Sequence, residues 1–124
     1  MKVQKVEYGP DDGMNPQGSS LMGYVTATFD SLVKLLGEPN CPPGDKVWNS
    51  WDLCFTVYDK DGEDFENVYA SIYDWKEMHP FASTSGEYRW HIGGFRDKEY
   101  RADWLVSDLV GQTDANEYTF MRKQ

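Results

Sequence analysis

Strict alternation of apolar with other side chains in two neighbouring segments, residues 51–58 and 67–75, constrains the fold more than any other feature of the sequence. In each segment the apolar residues recur at every second position, which is the period of a β-strand with one buried face. β-branched and aromatic residues, which favour strands, are frequent in both. Residues 59–62, Asp-Lys-Asp-Gly, are typical of a turn. We therefore predict an antiparallel hairpin at the centre of a sheet.

Other segments show a helical period or a shorter alternation. Apolar side chains three and four positions apart predict a helix over residues 29–36, with Thr28 as its N-cap and Gly37 as the residue that ends it. Similar spacing predicts a second helix over residues 97–110. Further strands are predicted at residues 2–8, 21–26, 88–92 and 117–121.

Together these elements predict one α+β domain over residues 1–124. We expect an antiparallel sheet of about four to six strands, with two amphipathic helices (residues 29–36 and 97–110) packed on one face. Residues 9–20 contain several Gly, Pro and Ser residues and are predicted to form a flexible loop.

The charge of the chain limits the kinds of partner that it can bind. Its 21 acidic and 12 basic residues give a net charge of −9, which disfavours non-specific binding to nucleic acid or to an anionic membrane. No apolar run approaches the roughly 20 residues that cross a bilayer. The charge and the lack of such a run predict no membrane partner. Cys41 and Cys54 lack the spacing of a zinc site, and nothing in the sequence indicates secretion, so we predict reduced thiols in a cytoplasmic protein.

The sequence contains no recognisable catalytic or metal-binding motif. As an EF-hand loop, the segment from Asp59 would have Asp64 where glycine is required and Ala70 where glutamate is required. His79 and His91 have no recognised ligand spacing. We therefore predict a protein that is not an enzyme and that has no metal and no cofactor, with His91 as the one side chain to test for catalysis.

A first candidate site combines aromatic and basic side chains on two strands and just beyond them. Such a surface can stack a nucleobase and hold a phosphate, and it predicts a small anionic nucleotide as ligand. The alternative is that the second helix covers this face and that the aromatic side chains belong to the core. The predicted ligand-binding residues are Tyr73, Trp75, Arg89, Trp90, His91 and Arg96.

A second candidate site is the acidic turn of the central hairpin. Its carboxylates favour a basic protein partner, which would approach faster at low ionic strength. The predicted protein-binding residues are Asp59, Asp61, Glu63 and Asp64. The chain also has five Trp, eight Tyr and six Phe, more than a small core readily buries, which makes a homodimer a further hypothesis.

Several short motifs give the chain, over about residues 24–110, a resemblance to small accessory proteins of tailed bacteriophages and prophages. The motifs are Leu36-Gly37-Glu38-Pro39, Lys46-Val47, Trp51, Ala70-Ser71-Ile72-Tyr73-Asp74-Trp75-Lys76 and Trp90-His91-Ile92-Gly93-Gly94. The chain departs from that pattern in its loop at 9–19 and its extended turn at 59–66.

The resemblance implies a protein that acts in the host bacterial cytoplasm, outside the virion. Accessory proteins of this kind often interfere with a host factor or a defence system. We therefore predict a non-enzymatic phage accessory protein that binds and inhibits a host or anti-phage defence factor through its acidic surface. The alternative is a sponge that sequesters a small nucleotide signal in the aromatic and basic pocket.

Overall fold

The protein is described by a computed structural model that covers residues 4–11, 19–40, 49–59, 61–75, 86–96, 100–111 and 118–123. In these segments a six-stranded sheet carries two helices, which confirms the predicted α+β class. The elements are β1 (Gln4–Pro10), β2 (Ser20–Thr28), α1 (Phe29–Leu36), β3 (Ser50–Tyr58), β4 (Phe65–Tyr73), β5 (Glu87–Gly94), α2 (Ala102–Gly111) and β6 (Tyr118–Arg122).

The strands of the sheet lie in the order β2-β5-β4-β3-β1-β6. All neighbours are antiparallel except β1 and β6, which run parallel with Val6 opposite Phe120. The sheet is therefore mixed, whereas the sequence predicted a purely antiparallel one. Alternation has the same two-residue period in both arrangements, so it carries no information on strand direction.

β3 and β4 form the predicted hairpin at the centre of the sheet. Trp51 lies opposite Ile72, and Phe55 lies opposite Val68. All four side chains are buried on one face, together with Leu53, Val57 and Ala70. This face is the floor of a single hydrophobic core.

Helix α1 begins and ends as its sequence predicted. The Thr28 hydroxyl accepts a hydrogen bond from the Ser31 amide at 3.1 Å, which satisfies one free N–H of the first turn. Gly37 has a φ of 86°, a left-handed conformation that favours glycine, and its amide donates to the Val33 carbonyl at 2.8 Å.

Two tryptophans of the sheet attach the backbone at both ends of α1. The Trp90 indole N–H donates to the Ala27 carbonyl at 3.0 Å, just before the helix. The Trp51 indole N–H donates to the Gly37 carbonyl at 2.8 Å, just after it. The two indole rings contact each other edge to face, with 5.3 Å between their centroids. A single aromatic pair therefore fixes the helix on the sheet.

Helix α2 packs on the same core, mainly over β2, β5 and β4. Its start differs from the prediction, because Tyr100 and Arg101 precede the helix and residues 97–99 lie outside the described residues. A Cβ atom at Gly94 would lie only 2.7 Å from the Cβ of Ala102. Glycine at this position lets the first turn of α2 approach β5.

Among the strands that extend further than predicted, β1 and β5 have glycine in the extension. β1 continues through Gly9 and Pro10, which were predicted to begin a loop, because they pair with Cys54 and Leu53 of β3. β5 continues through the glycine pair at 93–94, which pairs with β4. Of the predicted loop at 9–20, residues 12–18 lie outside the described part.

Neither α1 nor α2 is long and apolar enough to cross a lipid bilayer, and no other helix occurs in the residues that the structure describes.

We expect Trp51→Phe to lower the free energy of unfolding by about 2 kcal/mol or more, because it leaves the partly buried Gly37 carbonyl without its donor and opens a cavity beside Trp90. Trp104→Phe is the matched control. Trp104 is 60% exposed, so its replacement should change the free energy by less than about 0.5 kcal/mol. Urea unfolding of both variants measures the difference, and equal midpoints would show that the indole bond is dispensable.

Candidate functional site

The sheet face opposite the helices carries the aromatic and polar side chains of the same strands. Ile92 and Gly94 of β5 face the helices, so His91 and Gly93 point to the other side. The alternative that the second helix covers Tyr73 and His91 is therefore wrong, because α2 packs over Gly94.

His91 is the centre of an aromatic patch on this face, formed with Tyr24, Tyr73 and Trp75. The pairing of β2, β5 and β4 places Tyr24, His91 and Tyr73 in one row across the sheet. The His91 ring stacks on Tyr73 with centroids 5.4 Å apart and an interplanar angle of 24°. Tyr24 meets it edge-on at 5.0 Å, and Trp75 lies 6.5 Å away.

Arg89 adds a cation to the patch. Its guanidinium carbon lies 4.1 Å from the centroid of the Tyr24 ring, a cation–π contact. Tyr24 and Trp75 keep 42% and 39% of their surface exposed, so the patch offers aromatic area to solvent. Burial raises the pKa of Tyr73, and the neighbouring Tyr24 adds to the effect, so the Tyr73 hydroxyl is neutral at physiological pH.

Two of the six predicted ligand-binding residues lie elsewhere. Trp90 is fully buried on the core face, where its ring packs against Trp51. Arg96 bonds to the beginning of β2, through the Ser20 hydroxyl and the Leu21 carbonyl, both at 3.1 Å. The structure therefore groups only Tyr73, Trp75, Arg89 and His91. Tyr24 was missed because the sequence does not show that β2 lies beside β5.

The acidic turn between β3 and β4 has a defined backbone. The Asp59 carboxylate accepts a hydrogen bond from the Glu63 amide at 3.0 Å, and the Gly62 amide donates to the Asp59 carbonyl at 3.1 Å. Gly62 has a φ of 75°. Asp59 therefore shapes the turn, whereas Asp61, Glu63 and Asp64 are exposed. Within the described residues, no hydrogen bond or ion pair engages these three carboxylates.

A pocket of about 210 Å³ opens beside this turn. Its carboxylates come from the hairpin, its apolar floor is the buried Val57, and Phe65 next to it is 62% exposed. An arrangement of carboxylates and aromatic rings suits a cationic side chain. The lining residues are Val57, Asp59, Asp64, Phe65, Glu66 and Tyr100.

Tyr58 joins the turn to the neighbouring strand β1. Its hydroxyl donates to the Glu7 carboxylate at 2.7 Å, and the Lys5 ammonium lies 5.3 Å from its ring centroid. The hydrogen bond from Tyr58 holds the pKa of Glu7 below its ordinary value, and the same bond raises the pKa of Tyr58. Glu7 is therefore charged at neutral pH, and the Lys5 ammonium forms an ion pair with it at 3.6 Å.

The other candidates for chemistry have structural roles. The buried Asp74 carboxylate accepts hydrogen bonds from the Asn49 backbone amide at 3.1 and 3.2 Å and from the Asn49 side-chain amide at 3.1 Å, and so fixes the entry to β3. Burial raises the pKa of the Cys54 thiol, which makes it a poor nucleophile. In the described part of the chain no group of three or more His, Cys, Asp or Glu residues could hold a metal ion, whereas His79 and Cys41 lie outside that part.

Comparison of the chain with protein-family models, with curated proteins and with solved structures finds no match. The resemblance to phage accessory proteins therefore stays a prediction.

The Tyr58–Glu7 bond predicts a pH dependence of stability. Because the folded-state pKa of Glu7 is lower than the ordinary 4.5, the bond stabilises the protein above about pH 4.5 and is lost as the pH falls through the folded-state value. Tyr58→Phe should therefore destabilise the protein at pH 7, and the difference from wild type should shrink below pH 4.5.

The measurement is urea unfolding from neutral to acidic pH. Tyr69→Phe is the matched control. Tyr69 lies on β4, on the same face of the sheet as Tyr58, and its hydroxyl makes no hydrogen bond within the described residues. Its effect on stability should not change with pH. If the free energies of unfolding of wild type and Tyr58→Phe differed by the same amount at every pH, the Tyr58–Glu7 bond would not be the source of the pH dependence.

Proposed function

We propose that this protein is a non-enzymatic binding protein that holds a basic protein partner at the end of its central hairpin. The observation that supports this proposal best is the pocket beside the acidic turn, whose lining includes Asp64, Glu66 and Tyr100. A lysine or arginine side chain of the partner enters this pocket, with its charge near the carboxylates and its alkyl chain against Tyr100.

The charge distribution supports a fast encounter with such a partner. The carboxylates of Asp61, Glu63 and Asp64 are exposed and make no ion pair within the described residues, so a partner meets little competition for them. The net charge of −9 extends the negative potential beyond the pocket. Complementary potentials raise association rates more than they raise final affinity.

The rigidity of the hairpin end also favours binding. The Asp59 carboxylate holds the turn from within, and the Asp59 amide donates to the Asp64 carbonyl at 2.9 Å. A site that is ordered before the partner arrives loses less conformational entropy on binding.

The biological setting of this proposal comes from the resemblance to phage accessory proteins. In that setting the partner is a host factor or an anti-phage defence factor in the bacterial cytoplasm, and binding inhibits it. A basic surface on the partner, such as one that binds nucleic acid, would be occupied by the acidic hairpin.

We expect the double variant Asp64→Asn/Glu66→Gln to lose the partner that the wild-type protein captures from a lysate of the bacterial host, because it removes both charges from the pocket wall. The control is Glu38→Gln/Glu87→Gln, two exposed carboxylates outside the hairpin. Both variants have a net charge of −9 + 2 = −7.

With the purified partner, the association rate of the hairpin variant should fall about tenfold or more, and that of the control should stay within about twofold of wild type. Added salt should lower the association rate of the wild-type protein towards that of the hairpin variant. Equal rates for the two double variants would overturn the hairpin as the contact surface.

A second candidate function, sequestration of a small nucleotide, is supported by the position of Arg89 over Tyr24 in the aromatic patch. The exposed faces of Tyr24 and Trp75 can stack a base, and the guanidinium can hold a phosphate.

For this function we expect calorimetric titration with cyclic AMP and with a cyclic dinucleotide to show binding that Arg89→Gln weakens about tenfold or more. Arg96→Gln is the matched control, because Arg96 bonds to Ser20 and Leu21 and not to the patch. If neither nucleotide released heat of binding, or if both variants lost affinity equally, nucleotide sequestration would be excluded as a function of this patch.

A further inference from the structure

β2 ends the sheet on one side with an unpaired strand edge. It pairs with β5 on its inner side, and no strand of the described part of the chain pairs with its outer side. A β-bulge between Leu21 and Gly23 disturbs its beginning, whereas residues 23–28 pair regularly with β5. In the described part of the chain, the outward N–H and C=O groups of residues 23–26 therefore have no strand partner and form a row of donors and acceptors.

Apart from the bulge near its beginning, this edge lacks the features that usually prevent strand pairing. Its nine residues, Ser-Leu-Met-Gly-Tyr-Val-Thr-Ala-Thr, include no charged residue and no proline. The opposite edge strand, β6, has five residues, ends at Arg122 and is followed by Lys123. Short length and basic side chains protect an edge, so β6 is protected and β2 is not.

Exposed hydrophobic side chains also occur on this edge strand. Leu21 and Tyr24 of β2 are 41% and 42% exposed. They pair with Gly93 and His91 of β5, so both lie on the sheet face opposite the helices. A strand added beside β2 would cover part of this surface.

We propose that β2 pairs antiparallel with β2 of a second copy of this chain, about a twofold axis near Val25, so that two sheets become one continuous sheet. A twofold contact uses the same surface from both copies, and an uncharged strand is complementary to itself. Two chains that each have a net charge of −9 can approach at this seam, the interface between the two β2 strands, because β2 itself carries no negative charge.

The charges beyond the two ends of β2 also match in this arrangement. Arg96 lies at the beginning of β2, bonded to Leu21, and Asp30 lies in the first turn of α1, just after the end of β2. Antiparallel pairing brings the beginning of one β2 next to the end of the other. Arg96 of each copy then faces the Asp30 region of the second copy, and the contact occurs twice.

The test is the molar mass of the full chain in solution, measured by sedimentation over a range of concentrations. Wild type should approach twice 14.3 kDa. Thr26→Lys should weaken the dimer about tenfold or more, because it places a lysine of each copy at the seam. Thr119→Lys is the matched control: both threonines are exposed on edge strands, and each has a basic residue opposite, Arg89 or Lys5.

Unfolding midpoints of the two lysine variants establish that both are folded. A charge exchange provides an independent variant set: Arg96→Glu should weaken the dimer, and Arg96→Glu combined with Asp30→Lys should restore it at least in part. A wild-type chain that stays at 14.3 kDa up to its solubility limit overturns the proposal. A dimer that Thr26→Lys and Thr119→Lys affect equally overturns it as well.

Discussion

The contact between Trp51 and Trp90 is the interaction on which the rest of the structure depends. Each indole fills the space between sheet and helix, and each donates its N–H to a backbone carbonyl at one end of α1. The pair therefore satisfies buried polar groups and packs the core with the same side chains. Because β2 leads directly into α1, the same two bonds also fix where β2 ends and where the loop after Gly37 begins.

Placement of both helices on one face determines what the other face can do. The strands alternate, so each buried tryptophan or aliphatic residue is followed by a side chain that points away from the helices. In β5 this alternation separates Trp90 in the core from His91 in the aromatic patch. The core and the aromatic patch therefore use different faces of the same strands, and residues of the patch can change with little effect on the core.

Much of the fold could be predicted from the sequence because its signals are local. The caps of α1 and the alternation of β3 and β4 depend only on residues close in the chain, and the structure has both. The parallel pairing of β6 and the position of β2 beside β5 depend on distant contacts, so they could not be predicted. The position of β2 beside β5 determines the composition of the site, because it adds Tyr24 to the patch and engages Arg96 elsewhere. By contrast, the alternation within residues 88–92 is a local signal, and it is enough to place Trp90 and His91 on opposite faces of the sheet.

The acidic hairpin and the edge of β2 are compatible because they lie in different parts of the sheet. β5 separates β2 from the hairpin, and the acidic turn lies at the end of β4 opposite to Tyr73, where β4 pairs with β5. Pairing through β2 would therefore leave both acidic turns exposed, one at each half of a continuous sheet. Two identical turns on one rigid body can engage a partner that is itself symmetric or repetitive, and the second contact then forms at a high effective concentration. In a paired form of this kind, two weak contacts at the modest pockets would combine into tighter binding than one.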